Sequence, residues 1–299
     1  MNLHVYKKEG MHTHQGRRLR GALVFVLTGI LLLTSLCLPA GAAGRSGEVV
    51  PVRFGSTTGD NALRERSYLI GGVTYVPFRA FVEAAGGHSV RWIAASRTGE
   101  ATTAGGAVIT ARVGDEYVQY GARVFYTAAP VRIVNDRLYV PVRTLAGCFG
   151  IEVSWHAGTR SVVLTKTGNV PRSDEGYYDP SALYWLSRII SAEAKGEPFS
   201  GQIAVGNVVL NRVASPDYPD TIYGVIFDRK HGVQFTPSVN GTIYDAPTVS
   251  AIRAAKACLE GYSLSGSILY FFNPSLATSK WISENCTYVF RIGGHVFYR

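Results

Sequence analysis

The chain of 299 residues is long enough for two modest domains with a core each. Its composition, 46% hydrophobic and 17% charged, excludes a chain that is disordered throughout. The formal net charge of +9 suits a polyanion such as a bacterial wall or a nucleic acid, although a merely basic soluble protein has the same charge.

The N-terminus has the order of a secretory signal peptide. A basic cluster at Arg17–Arg20 precedes an apolar run from Gly21 to Leu38, and the small residues Ala40–Ala43 follow it. This order predicts that residues 1–43 are a signal peptide and that the protein is secreted. An apolar run of this length can also just span a bilayer, so an uncleaved membrane anchor is the alternative.

The segment 48–166 contains an internal repeat. Val73–Arg79 reads Val-Thr-Tyr-Val-Pro-Phe-Arg, and Arg137–Arg143 answers it with Arg-Leu-Tyr-Val-Pro-Val-Arg. Each copy predicts a short strand that runs into proline, followed by a helix that ends near glycine. Alternating apolar runs between the copies predict further short strands. The expectation is a small α+β domain with two copies of one unit.

The paired Tyr-Val-Pro-x-Arg motifs resemble those of the copper amine oxidase N-terminal-like domain. The name does not predict a copper site here, because His88 and His156 are isolated and have no metal-ligand spacing. We expect a spacer or a wall-contact module without a cofactor. Residues 167–178 carry Gly, Pro and charge without periodicity and read as a linker.

The second predicted domain, 179–299, opens with Asp179-Pro180, an N-cap followed by a residue suited to the first helical position. Apolar residues then recur at helical spacing, at Ala182, Leu183, Leu186, Ile189 and Ile190. Glu193 occupies the next position on that face. Burial would raise its pKa and let it hold a proton near neutral pH, as a general acid must. The alternative is a helix-end glutamate that turns to solvent or to Lys195.

Ordered motifs across this domain resemble the spore cortex-lytic and cell-wall hydrolase family. The matching stretches are Ser191–Pro198, Gly201–Arg212, Tyr218–Phe227, Gln234–Pro237, Tyr270–Pro274, Ser279–Trp281 and Ile292–Tyr298. The resemblance implies a lysozyme-like or lytic-transglycosylase-like α+β catalytic domain whose acid is Glu193. It implies peptidoglycan glycan strands as the substrate, in the cell wall or the spore envelope, with no nucleic acid and no metal. A role in germination is a hypothesis that no single residue demonstrates.

Two reactions remain open at this point. A lytic transglycosylase needs only Glu193, because the muramyl C6 hydroxyl is the nucleophile. A hydrolytic muramidase ordinarily has a second carboxylate across the cleft. The acids available for that role are Glu197, Asp217, Asp220, Asp228 and Asp245.

Several polar and aromatic residues suit sugar binding. The amide of Gln234 offers a donor and an acceptor, and Thr236 lies in the same motif. Asn273 could act likewise, although a turn residue is an equal reading. Trp281 could stack on a sugar ring, and Lys280 could meet an acidic peptide stem.

Three other functions compete with glycan cleavage. A zinc amidase would have to assemble Glu193 with His231 and His295, which have no known metal spacing. A cysteine peptidase would need an exposed Cys258 or Cys286 beside a histidine. A non-catalytic wall-binding protein would keep the fold and lose the acid, but Glu193 is present.

Overall fold

The computed structural model describes residues 47–55, 62–127, 129–230, 232–277 and 280–299. Residues 44–299 form one compact unit, in which helices and strands are mixed as the predicted α+β class requires. The predicted signal peptide, 1–43, lies outside the described residues. Among those residues, no helix has both the length and the apolar character needed to cross a membrane.

The first half of this unit is built mainly of short strands with two small helices. In chain order these are β1 (Glu48–Val50), β2 (Val52–Phe54), β3 (Ser67–Ile70), β4 (Val73–Pro77), α1 (Phe78–Ala85), β5 (His88–Ile93), β6 (Thr98–Thr102), β7 (Val108–Arg112), β8 (Tyr117–Tyr120), β9 (Arg123–Tyr126), β10 (Arg132–Val134), β11 (Arg137–Pro141), α2 (Val142–Gly147), β12 (Ile151–His156) and β13 (Ser161–Lys166). They form sheets of order β1-β3-β4-β11-β10, β5-β6-β7-β8-β9 and β12-β13-β2.

The two copies of the repeat are neighbours in one sheet. Strands β4 and β11 pair antiparallel, with Val76 opposite Val140. Each strand runs into a proline that precedes a helix, α1 or α2, as the sequence predicts. Helix α1 ends at Gly86, whose φ of 99° is a left-handed conformation that glycine adopts without steric cost.

The second half is mainly helical and carries one small sheet. Its elements are α3 (Pro180–Ala194), α4 (Phe199–Ala214), α5 (Ile222–Phe227), α6 (Pro237–Asn240), α7 (Val249–Leu259), β14 (Tyr270–Phe272), α8 (Trp281–Asn285), β15 (Tyr288–Ile292) and β16 (His295–Tyr298). The sheet order is β14-β16-β15. Helices α3, α4 and α7 pack together around a core that includes Ile189, Val208 and Ala254. This core fixes the end of α3.

The two halves are joined by a buried ion pair. Arg123 on β9 pairs with Glu260 just beyond α7, and the two side chains are only 9% and 4% exposed. Tyr178 donates its hydroxyl to the same carboxylate at 2.6 Å. Arg123 also donates to the main-chain oxygen of Arg172 at 2.9 Å, so the segment predicted as a linker lies against β9.

The buried pair of Arg123 and Glu260 leads to a prediction about stability. Glu260→Ala should lower the free energy of unfolding by about 3–5 kcal/mol, because it leaves the Arg123 guanidinium buried without its carboxylate. Urea denaturation followed by circular dichroism measures the change. The control is Glu83→Ala, which removes an exposed pair with Arg79 and should cost at most about 0.5 kcal/mol. Similar small losses in both variants would contradict the importance of the buried pair.

Candidate active site

Glu193 lies in the last turn of α3, on the face that the helix buries. Asp179 caps this helix by accepting a hydrogen bond from the amide of Ala182 at 2.7 Å, and Pro180 follows it. Ile189 and Ile190, which lie four and three positions before Glu193, are completely buried. The packed helix therefore carries the carboxyl to a fixed place at its C-terminal end.

The Glu193 carboxyl has no compensating partner. Within the described residues it makes no hydrogen bond and no ion pair, and burial raises its pKa to about 7. Burial is the one cause of this shift, since the charged form is disfavoured away from water. A large fraction of the molecules therefore carries a proton on Glu193 at neutral pH.

Glu193 lies where two cavities meet. We call the larger one, of about 1050 Å³, the wide arm, and it is lined by Glu193 and by Arg212, Tyr218, Gln234, Thr236, Tyr270, Phe271, Phe272, Asn273, Trp281 and His295 among others. We call the smaller one, of about 390 Å³, the narrow arm, and it is lined by Arg188, Ser191, Ala192, Glu193, Lys195, Thr236, Pro237, Asn240, Thr242, Asp245, Ala246 and Thr248. The two arms share Ala192, Glu193 and Thr236, so they form one cleft with the acid at the middle.

Four of the five predicted sugar-binding residues line the wide arm with Glu193. These are Gln234, Thr236, Asn273 and Trp281. Lys280 is exposed just before α8 and is not part of that lining. Trp281 is 54% exposed and makes an edge contact with Tyr270 at 6.1 Å between ring centroids.

The amides of Gln234 and Asn273 are partly engaged inside the protein. The Gln234 side-chain oxygen accepts from Arg212 at 3.2 Å, and its nitrogen donates to the main-chain oxygen of Gly232 at 3.2 Å. The side-chain oxygen of Asn273 accepts from the amide of Ser275 at 3.0 Å, which is the turn-forming contact of the alternative reading. Each amide keeps unused hydrogen-bonding capacity for a ligand.

Arg212 is a site residue that the sequence did not single out. It is buried in α4, donates from Nε to the main-chain oxygen of Leu269 at 2.8 Å, and lies within 5.5 Å of the ring centroids of Tyr218, Phe235 and Tyr270. Burial lowers its pKa. Through Gln234 it fixes one polar group of the wide arm. An arginine within a mainly apolar helical run is the signal that could have identified it.

Glu197, the second acid of the Glu193 motif, is committed to a structural contact. Its Oε2 accepts from the amide of Gly294 at 2.9 Å, in the turn between β15 and β16. Its Oε1 lies 4.0 Å from Nδ1 of His295, a buried residue of the wide arm. Burial lowers the pKa of His295, and the Glu197 charge opposes that effect. Glu197 thus ties the segment between α3 and α4 to the hairpin of β15 and β16, whose His295 lines the wide arm.

This contact predicts that Gly293 tolerates no side chain. Gly293 has a φ of +55°, and a Cβ atom there would come 2.0 Å from Oε2 of Glu197. We expect Gly293→Ala to lower the free energy of unfolding by about 1–3 kcal/mol, from left-handed strain and the forced movement of Glu197. The control is Gly266→Ala, at an exposed position where nothing lies within 4 Å of the added atom. Equal melting temperatures for the two variants would show that the turn adapts freely.

The other predicted chemistries find less support in the geometry. Cys258 is a free, buried thiol whose pKa is raised by burial, and Cys286 is free as well, so the two do not form a disulfide. Among the described residues no group of three His, Cys, Asp or Glu could hold a metal ion, and His231 lies outside those residues. Of the acids considered as a second carboxylate, Asp245 is the one that lines the cleft, on the narrow arm.

Two family models match the chain. The description "Cell Wall Hydrolase" covers residues 196–298, and "Copper amine oxidase N-terminal domain" covers residues 59–164. These are the two families that the motifs predicted, which confirms the resemblance in both halves. The first match begins just after Glu193.

Curated relatives and solved structures match the second half. The chain is 41% identical over 134 residues to a spore cortex-lytic enzyme of Halalkalibacterium halodurans, covering 45% of this chain and 38% of the relative. It is 38% identical over 122 residues to that of Bacillus subtilis, covering 41% and 39%. A solved catalytic domain of the germination-specific lytic transglycosylase SleB from Bacillus anthracis is 36% identical, with 42% of this chain and all of that chain covered and a TM-score of 0.38. The chain therefore spans less than half the length of these curated relatives.

Proposed function

We propose that this chain, which carries a cell wall hydrolase domain over residues 196–298, cleaves the glycan strands of peptidoglycan by lytic transglycosylation. The observation that carries the proposal is the Glu193 carboxyl, which is largely shielded from water, has no partner among the described residues and lies where the two arms meet. A polymer lying along the cleft would pass its glycosidic bonds across a carboxyl that is protonated near neutral pH.

In this mechanism Glu193 acts first as an acid and then as a base. It gives its proton to the glycosidic oxygen as the bond to muramyl C1 breaks. The resulting carboxylate then takes the proton of the muramyl C6 hydroxyl, whose oxygen bonds to C1 and closes a 1,6-anhydro ring. The acid is regenerated, and neither a water nucleophile nor a second carboxylate is needed.

The side chains that line the cleft indicate which residues would bind the substrate. Trp281 offers a flat apolar face, and the remaining donors and acceptors of Gln234, Thr236 and Asn273 suit hydroxyl and N-acetyl groups. The role proposed for Lys280 is contact with an acidic stem at the rim. The first-half module is proposed to contact the wall.

The names of the relatives suggest where the substrate occurs. Because they are spore cortex-lytic enzymes, we propose that the chain is exported and acts on cortex peptidoglycan during germination. Incubation of the protein with decoated spores and with vegetative sacculi tests this. Solubilisation of the vegetative wall with the cortex left intact would contradict it.

Hydrolysis by a muramidase route is the second candidate, and Asp245 is the observation that favours it. This carboxylate lines the narrow arm with Glu193 and could orient a water molecule or form a covalent intermediate.

Mass spectrometry of the released muropeptides distinguishes the two routes. We expect anhydromuramyl ends, one water lighter than hydrolysed ends, and no change in these products for Asp245→Asn. Glu193→Gln should lower the cleavage rate at least about 100-fold, because the amide cannot donate a proton to the leaving oxygen. Hydrated ends together with an inactive Asp245→Asn variant would establish hydrolysis. Undiminished cleavage by Glu193→Gln would overturn the proposed function.

A further inference from the structure

The narrow arm contains a cation, Arg188, that forms no ion pair with any described residue. Arg188 lies on α3, and its guanidinium carbon is 3.9 Å from the ring centroid of Tyr184. Its Nε is buried without a hydrogen-bond partner, and the side chain forms no ion pair with any described residue. A buried N–H group without an acceptor is costly, so such groups are normally satisfied by protein, water or ligand.

The surroundings of Arg188 do not neutralise its charge. Lys195 lines the same arm, and the acids there are Glu193 and the exposed Asp245. Arg188 forms no hydrogen bond or ion pair with Glu193 or Asp245 among the contacts of the described residues. Stacking on Tyr184, one turn earlier in the helix, instead holds the guanidinium in place. The guanidinium is therefore held in place, and no described residue supplies an anion that pairs with it.

We propose that Arg188 binds a carboxylate carried by the muramyl residue of the substrate, and that the narrow arm is the muramyl subsite. This inference rests on the proposed function, which makes peptidoglycan the ligand. A guanidinium and a carboxylate form paired, charge-assisted hydrogen bonds, and an arginine is the side chain best shaped for them. The muramyl sugar differs from its glucosaminyl neighbour in its lactyl substituent. The carboxylate is either the lactyl group itself, where the stem is absent, or belongs to the stem peptide.

The assignment fixes the direction of the strand in the cleft. With the muramyl residue beside Arg188, the glucosaminyl leaving group lies in the wide arm, against the aromatic surface that includes Trp281. Glu193, shared by the two arms, then faces the bond between them.

Binding measurements test the subsite independently of cleavage. In the full chain carrying Glu193→Gln, dissociation constants are measured by calorimetry for soluble glycan fragments with stems and for fragments whose stems an amidase has removed. Each fragment is used as such and after conversion of its carboxyl groups to methylamides. We expect methylamidation to weaken binding about 10- to 100-fold for the fragment whose carboxylate pairs with Arg188. The fragment that loses affinity shows whether the carboxylate belongs to the lactyl group or to the stem peptide.

Adding Arg188→Gln should weaken binding of the unmodified fragment by the same factor and remove the effect of methylamidation. Arg188→Lys should restore part of the affinity, and Arg299→Gln, at the exposed C-terminus, should match the parent. Equal affinity for all four fragments, no binding of any, or an equal loss for all four in Arg188→Gln would overturn the proposal. The muropeptide products of the unmodified chain separately decide the proposed function.

Discussion

The site depends on one constraint: α3 buries a carboxyl at its end and gives it no cation or donor among the described residues. Such a group is unfavourable when charged, so it keeps its proton up to a pH at which an ordinary glutamate is ionised. The packing of α3 against α4 and α7 maintains this arrangement, because a loosely held helix end would let the carboxyl turn into water. Enzymes commonly lose some stability in order to keep an active residue in an unfavourable environment. Here a well-packed scaffold holds the destabilising carboxyl in place.

The two acids of the motif Ser191–Pro198 lie in opposite environments. Glu193 has no partner among the residues that the structure describes, whereas Glu197 accepts a main-chain hydrogen bond from the β15–β16 turn. The cations show the same division. Arg212 is engaged by main-chain and amide oxygens, whereas the Nε of Arg188 has no hydrogen-bond partner among the described residues. Glu193 and Arg188, which have no charged partner among the described residues, are both proposed to contact substrate.

Local periodicity accounts for what the sequence predicted. The apolar spacing of Leu186, Ile189 and Ile190 placed Glu193 on a buried face, and the repeated Tyr-Val-Pro segments indicated two like units that pair as β4 and β11. Contacts between distant segments were not predictable in this way. Glu197 and Gly294 are 97 residues apart, and Arg123 and Glu260 are 137 apart. No local pattern specifies which residues such segments bring together, and for that reason Arg212, which contacts Leu269 and Gln234, was missed.

A ¹³C NMR titration of the Glu193 side-chain carboxyl, assigned by its absence in Glu193→Gln, tests the role of this residue as the acid most directly. Burial predicts a midpoint of about 7. Since the folded state then binds the proton more tightly than the unfolded chain, stability should also fall as the pH rises from about 4.5 to 7. A midpoint near 4.5 would mean that the carboxyl is solvated or paired, and it would contradict the proposed role of Glu193 as the catalytic acid.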